Sequence, residues 1–204
     1  VGIDGTVQIY EADVKKHGRD IDMKGVRFLW AGSGDCSQTE SMPPMLNITV
    51  DDVHIYNMVV VDAPDGIHVH SRDVTLRDVH FPDVCEDAVT MKRGSELVRV
   101  IDCVFANAED KVIQVTAGTG HLVQRCTFMD CSVPIRQGTY TSVRIDKNWF
   151  VRCGVGVRAE GEVSPGPSTK VRWGTNYFDE TKNVFDFVSG QVRMSRLNPD
   201  KREF

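Results

Sequence analysis

The chain has 204 residues, of which 41% are hydrophobic and 26% charged, enough for one domain with its own buried core. Its net charge of -5 argues against a nucleic-acid partner, which would call for a basic stripe against phosphates. Charges interrupt every apolar run well short of the roughly 18 to 20 residues that cross a bilayer, so no membrane partner is expected, and a polyanionic ligand would need a locally positive cleft or a bound cation.

In chain order, Val1 opens the sequence with no basic-then-apolar segment, so any export signal is expected to lie outside it or to have been removed. Residues 1–20 are expected to cap one end of the fold. From Ile21 onward a pattern recurs: two apolar residues at i and i+2, then an apolar residue, Cys or Asn at i+5 and an aromatic or aliphatic one at i+7. It reads as Ile21/Met23/Val26/Phe28, Ile48/Val50/Val53/Ile55, Val74/Leu76/Val79/Phe81 and Val98/Val100/Cys103/Phe105. It continues as His121/Val123/Cys126/Phe128, Val143/Ile145/Asn148/Phe150 and Val171/Trp173/Asn176/Phe178, seven repeats in all. A period-two face, a phase shift and a second short face require two strands with a turn between them. A third strand follows in Ile67/Val69, Val89/Met91 and Ile113/Val115.

Three short strands per repeat with no 3.6-residue period predict an all-β, single-stranded, right-handed parallel β-helix of about seven coils. A leucine-rich repeat lacks its Leu frame here, and a propeller needs about 40 residues per blade. One domain therefore spans 1–204, with 1–20 and 179–204 as end caps or tails and turn-rich excursions at 31–44 and 161–169. Asn148 and Asn176, at one phase, are predicted to stack inside a turn and bond backbone. The six cysteines form no C-x-x-C pair. Cys103 with Cys126, and Cys131 with Cys153, each lie one repeat apart and should meet on neighbouring coils, as disulfides or as buried thiols.

Five polar residues also recur at the long period: Asp65, Asp87, Lys111, Arg136 and Arg158, separated by 22, 24, 25 and 22 residues. Charges at one phase of a solenoid stack along its outside. Asp65, Glu86 and Asp87 on two neighbouring coils would repel one another unless neutralised, and hard oxygen donors of this kind select Ca2+. The lysine and two arginines beyond them form a receptor for carboxylates. His68 and His70, on one strand face, read as a surface pair.

The blocks Asp65-Gly66-Ile67-His68, Glu86-Asp87-Ala88, Asp110-Lys111-Val112-x-Gln114 and Arg136-Gln137-Gly138 resemble the signature blocks of the family 3 pectate lyases, small secreted parallel β-helix enzymes. Asp35-x-x-Gln38-x-Glu40-x-x-x-Pro44 is similar to that family's upstream acidic loop, and Val157-Arg158 to its late arginine block, so the resemblance spans about residues 35 to 160. It implies calcium ligation by Asp65, Glu86 and Asp87, a catalytic pair in Lys111 and Arg136, and substrate binding by Glu40, Lys92 and Arg158. Cys85 stands where the family usually has Gly, and Val133-Pro134-Ile135 departs from the expected block.

The implied activity is Ca2+-dependent β-elimination in a polyuronate chain (pectate or polygalacturonate) by a secreted monomer. The C5 proton of a uronate is acidic only because the neighbouring carboxylate can delocalise charge, so cations on that carboxylate dominate catalysis. An amine can release its proton where cations crowd it and a guanidinium cannot, which favours Lys111 as base and Arg136 as its partner. Two alternatives remain. A polygalacturonase-like hydrolase shares Asp-Gly and acidic-pair blocks, but the Gly-His-Gly expected next is missing. A non-catalytic glycan-binding β-helix would not need Lys111 and Arg136.

Overall fold

The computed structural model describes residues 2–3, 7–9, 21–24, 27–29, 44–61, 63, 65–160, 169–189 and 192–196. All regular structure among them is strand, and every strand pairing is parallel. One sheet contains Val7–Ile9, Leu46–Ile48, Ile67–Val69, Val89–Met91, Lys111–Val115, Val133–Gln137, Val155–Glu160 and Asn183–Ser189, stacked in chain order. The remaining strands form a second sheet of two ladders, fused where Val53–Val61 and Thr75–Phe81 run through both. Each coil crosses both sheets, which gives the predicted parallel β-helix.

The eight rungs of the first sheet agree roughly with the seven repeats of the sequence. Two readings change. The second repeat lies five residues later than expected: Ile21 pairs with Val53, Met23 with Ile55 and Phe28 with Val60, so its residues are Val53/Ile55/Met58/Val60. The uninterrupted apolar run around Met58–Val61 masked the correct phase. The expected end caps also contain rungs, since Gly2–Ile3, Val7–Ile9, Asn183–Ser189 and Val192–Arg196 pair with the strands of the neighbouring coil. The excursion at 161–168 and most of that at 31–44 lie outside the described residues.

Parallel strands repeat at about 4.8 Å, so like residues stack on like. Phe81, Phe105, Phe128 and Phe150 are fully buried, and their rings stack with centroids 5.1 Å apart; Phe178 continues the column at 4.8 Å. Such spacing suits offset aromatic stacking. Two residues before each Phe, Cys103 lies over Cys126, and Cys131 lies over Cys153 on another corner. All four are free and buried, and their thiols donate to backbone carbonyls: Cys103 to Ile101 O at 3.3 Å, Cys126 to Val100 O at 3.4 Å, Cys131 to Met129 O at 3.2 Å and Cys153 to Val151 O at 3.4 Å. They are therefore stacked thiols. Burial pushes the Cys126 thiol up, which keeps it inert. Cys85, by contrast, is disulfide-bonded, a state that the cysteine spacing did not predict.

Asn148 takes the place of a cysteine in this column. Its Oδ1 accepts from the Cys126 N–H at 2.9 Å, and its Nδ2 donates to Val123 O at 3.0 Å and to Asn176 Oδ1 at 3.0 Å. The predicted turn stack is thus a chain of side-chain to backbone bonds that satisfies buried polar groups. At the corners, Asp78, Asp102, Arg125 and Lys147 repeat a positive φ coil after coil, in the left-handed region.

Phe128→Ala should destabilise the fold by about 3–5 kcal/mol in urea titration, because it opens a void between two stacked rings that cannot close while the strands on either side hold their spacing. A loss below about 1 kcal/mol would show that the ring column contributes little.

Candidate active site

The outward face of the first sheet carries two columns of polar side chains, not one. Pairing runs Asn47–His68–Thr90–Gln114–Arg136–Arg158–Asp186. Asp65, Asp87 and Lys111 each stand three residues before a member of that column, and the partner of Lys111 on the next rung is Val133. Arg136 and Arg158 are therefore offset by three residues from the acids and the lysine, correcting the single ladder read from the spacing. The interval of 25 between Lys111 and Arg136 is one 22-residue coil plus this offset.

Gly66 allows the acids to approach one another. Its N–H donates to Asp87 O at 2.8 Å, and a Cβ there would fall 2.2 Å from Ala88 O, so any side chain would push the Asp65 segment off the Asp87 segment. Asp65 and Asp87 are consequently 7% and 6% exposed. Thr90 Oγ1 donates to Asp87 Oδ2 at 3.0 Å, whereas Asp87 Oδ1 and Asp65 Oδ1 are buried without a hydrogen-bond partner. His68 Nε2 lies 2.6 Å from Asp65 Oδ2, but the two are not aligned for a hydrogen bond. Burial pushes the Asp87 carboxyl up to about 6; Lys111 and Thr90 oppose this, and Asp65 and Asp110 add to it.

The half-buried Lys111 sits between two acids. Its Nζ contacts Asp110 and stands 4.0 Å from Asp87 Oδ1, beyond hydrogen-bond range. Arg136 Nε and Nη2 both donate to Glu160 Oε1, at 2.9 and 2.6 Å. Gln114 lies between Asp87 Oδ2 and Arg136 Nη1. An acceptor on one side and a donor on the other fix its amide, with Nε2 donating to Asp87 at 2.5 Å and Oε1 accepting from Arg136 at 3.0 Å. Of the five guanidinium N–H groups of Arg136, one on each terminal nitrogen is left without a partner among the described residues. Next to it Gly138 leaves a small open pocket of about 190 Å³, lined by Arg136, Thr116 and Glu160 among others.

The other sequence-predicted residues are placed unequally. Arg158 extends the arginine column and donates through Nε to Asp186 Oδ2 at 2.8 Å. Lys92 stands two residues beyond Thr90, beside His70, whose pKa is lowered by burial and by the charges of His68 and Lys92. Glu86 is half-buried and makes interactions of its own, and no three of His, Cys, Asp and Glu are gathered into a metal-binding group among the described residues. Glu40 lies outside the described residues. His68, read from the sequence as one of a surface pair, instead lies against Asp65. Sequence reasoning missed Thr90, Gln114 and Glu160 as site residues, and of these only Gln114 gave a signal, as a member of the Asp110-Lys111 block.

The family profile described as pectate lyase matches residues 3–144. The chain is 30% identical over 112 residues to a probable pectate lyase D of Emericella nidulans, covering 54% of this chain and 38% of that protein. It is 34% identical over 85 residues to a probable pectate lyase E of Neosartorya fischeri, covering 41% and 33%. The matched stretches thus span about a third of these relatives' length. Among solved structures, an alginate lyase from Paenibacillus sp. str. FPU-7 aligns over 94% of this chain and 89% of its own, with a TM-score of 0.46 and 11% identity.

The raised Asp87 pKa has a consequence for stability. Between the unfolded value of 3.8 and the folded value of about 6, the folded chain holds the proton more tightly, so this group's contribution is greatest below pH 4 and is lost as pH rises through 6. In metal-free buffer, Asp87→Asn should therefore be more stable than the unsubstituted chain at pH 7, by about 1–3 kcal/mol, with the difference vanishing near pH 4. Denaturant titrations at the two pH values measure this; equal differences at both would rule out the shift.

Proposed function

Because the chain belongs to the pectate lyase family, we propose that it cleaves polygalacturonate by Ca2+-dependent β-elimination. Lys111 Nζ takes the C5 proton, the C5–H electrons form the C4=C5 double bond, and the C4 oxygen departs with its electron pair to leave a 4,5-unsaturated end. The reading rests chiefly on one observation: Lys111, Asp87 and Arg136 occupy consecutive rungs, with a buried, unpartnered Asp87 oxygen 4.0 Å from the amine and two spare N–H donors on the guanidinium.

Arg136 suits the anchoring role. Glu160 and Gln114 hold three of its donors, and the other two, one on each terminal nitrogen, are left for a carboxylate. A guanidinium keeps its proton, so the base falls to the amine. The charges around the site support a cation. Asp65, Asp87, Asp110 and Glu160 outnumber Lys111 and Arg136, and a polyanionic chain would be repelled by that excess. The two orphan oxygens of Asp65 and Asp87 fit a hard, oxygen-seeking ion. Ca2+ held by Asp65 and Asp87, with Glu86 as a third donor, would supply positive charge against the uronate carboxylate as C5 loses its proton.

Lys92 and Arg158 would bind neighbouring uronates, with Glu40 as a further substrate-binding residue. We place the protein outside the cell, acting as a monomer. The disulfide at Cys85 supports an oxidising compartment.

Mixing the protein with polygalacturonate and Ca2+ should generate the ultraviolet absorbance of a conjugated unsaturated uronide, and a chelator should abolish it reversibly. Full turnover in excess chelator would remove the cation from the mechanism. Lys111→Ala should lower kcat by about 10²–10⁴-fold with little change in KM, and Lys111→Arg nearly as much. If Lys111→Ala stays active and Arg136→Lys is dead, the base is Arg136.

A further inference from the structure

Asp87 and Arg136 lie on rungs separated by one intervening strand, and Gln114 on that strand is the side chain that touches both. Its Nε2 donates to Asp87 Oδ2 at 2.5 Å and its Oε1 accepts from Arg136 Nη1 at 3.0 Å. The backbone register places Thr90, Gln114 and Arg136 level with one another. Thr90 bonds the same Asp87 oxygen at 3.0 Å, and Glu160 holds the far side of Arg136. The result is one hydrogen-bonded chain from Thr90 through Asp87, Gln114 and Arg136 to Glu160.

We infer that Gln114 is a positioning residue that clamps the cation-side carboxylate to the substrate-anchoring guanidinium. This rests on the lyase reading for its catalytic meaning but not for its geometry. The clamp separates the two oxygens of Asp87: Oδ2 takes both hydrogen bonds, and Oδ1 is left without one, 4.0 Å from Lys111 Nζ. It also occupies one Nη1 donor of Arg136, which holds the guanidinium in one orientation. Glutamine suits the position. Its neighbours are an acceptor-only carboxylate and a donor-only guanidinium, and its amide answers each with a separate atom, Nε2 donating and Oε1 accepting. Glutamate would repel Asp87, lysine would repel Arg136, and leucine would leave both ends unmet.

The test compares Gln114→Leu and Gln114→Glu in the full chain, alone and combined with Arg136→Ala. Gln114→Leu should lower kcat by about 10- to 100-fold while KM stays within about threefold, as outer-shell partners do. In the Arg136→Ala background the same substitution should cost less than about threefold, because the group it positions is gone. Equal penalties in both backgrounds, or a kcat within about twofold of the unsubstituted chain, would overturn the clamp. A second readout needs neither activity nor cation: proton exchange at the Arg136 guanidinium, followed by 15N NMR, should be about tenfold faster in Gln114→Leu and near normal in Gln114→Glu, which keeps the Arg136 bond. Equal exchange in Gln114→Leu and the unsubstituted chain would overturn the proposal. If the unsubstituted chain shows no lyase activity, the functional reading fails while the exchange rates still decide the clamp.

Discussion

In-register parallel pairing is the constraint on which the molecule depends. Once each coil lies about 4.8 Å above the last, a residue's neighbour is its equivalent one coil away, and every column must tolerate its own repetition. Apolar columns do so easily. The ring stack from Phe81 to Phe178 and the thiol pairs fill the interior with near-identical layers. A polar group inside can be repeated only if its partners repeat too, which Asn148 and Asn176 achieve by bonding backbone and each other.

On the outside the same rule concentrates charge. Asp65, Asp87 and Lys111 share one column, and Gln114, Arg136 and Arg158 share the next. Burying a carboxylate is unfavourable, and a second one beside it adds to the cost; the raised pKa of Asp87 expresses chiefly its burial, with a smaller part from Asp65 and Asp110. The fold holds them together through covalent and backbone restraints that do not depend on their charge: the close approach at Gly66 and the hydrogen bond from its N–H to Asp87 O. A scaffold of this kind can keep an electrostatically unfavourable group in place until an opposite charge arrives.

The three-residue offset between columns gives the site its diagonal geometry. A lysine directly under an arginine would compete with it for the same partners. Displaced along the strand, Lys111 meets Asp87 and Asp110 while Arg136 meets Glu160 and Gln114, so the two cations have separate acidic partners. The amide of Gln114 links the two systems because it is the one neutral group between them that can both donate and accept.

The architecture and most of the charged site residues were legible in the order of amino acids alone. Apolar residues two apart, repeated seven times with a phenylalanine closing all but one of the repeats, admit a solenoid and little else, and Asp65, Asp87, Lys111 and Arg136 stand out as polar residues on that period. Phase within a coil was legible wherever a turn residue interrupted the apolar run, and was lost where none did, as at Met58–Val61. Only the tertiary structure decided which of these residues touch. Turn lengths differ from coil to coil, so a sequence interval of 25 cannot by itself separate a longer coil from a shift along the strand, and it is the hydrogen-bond register that placed Val133, not Arg136, beside Lys111. The roles of Gln114 and Glu160 were illegible for a related reason: a neutral or salt-bridged side chain acquires its meaning from partners that are 22 or more residues away in the chain and close only in space.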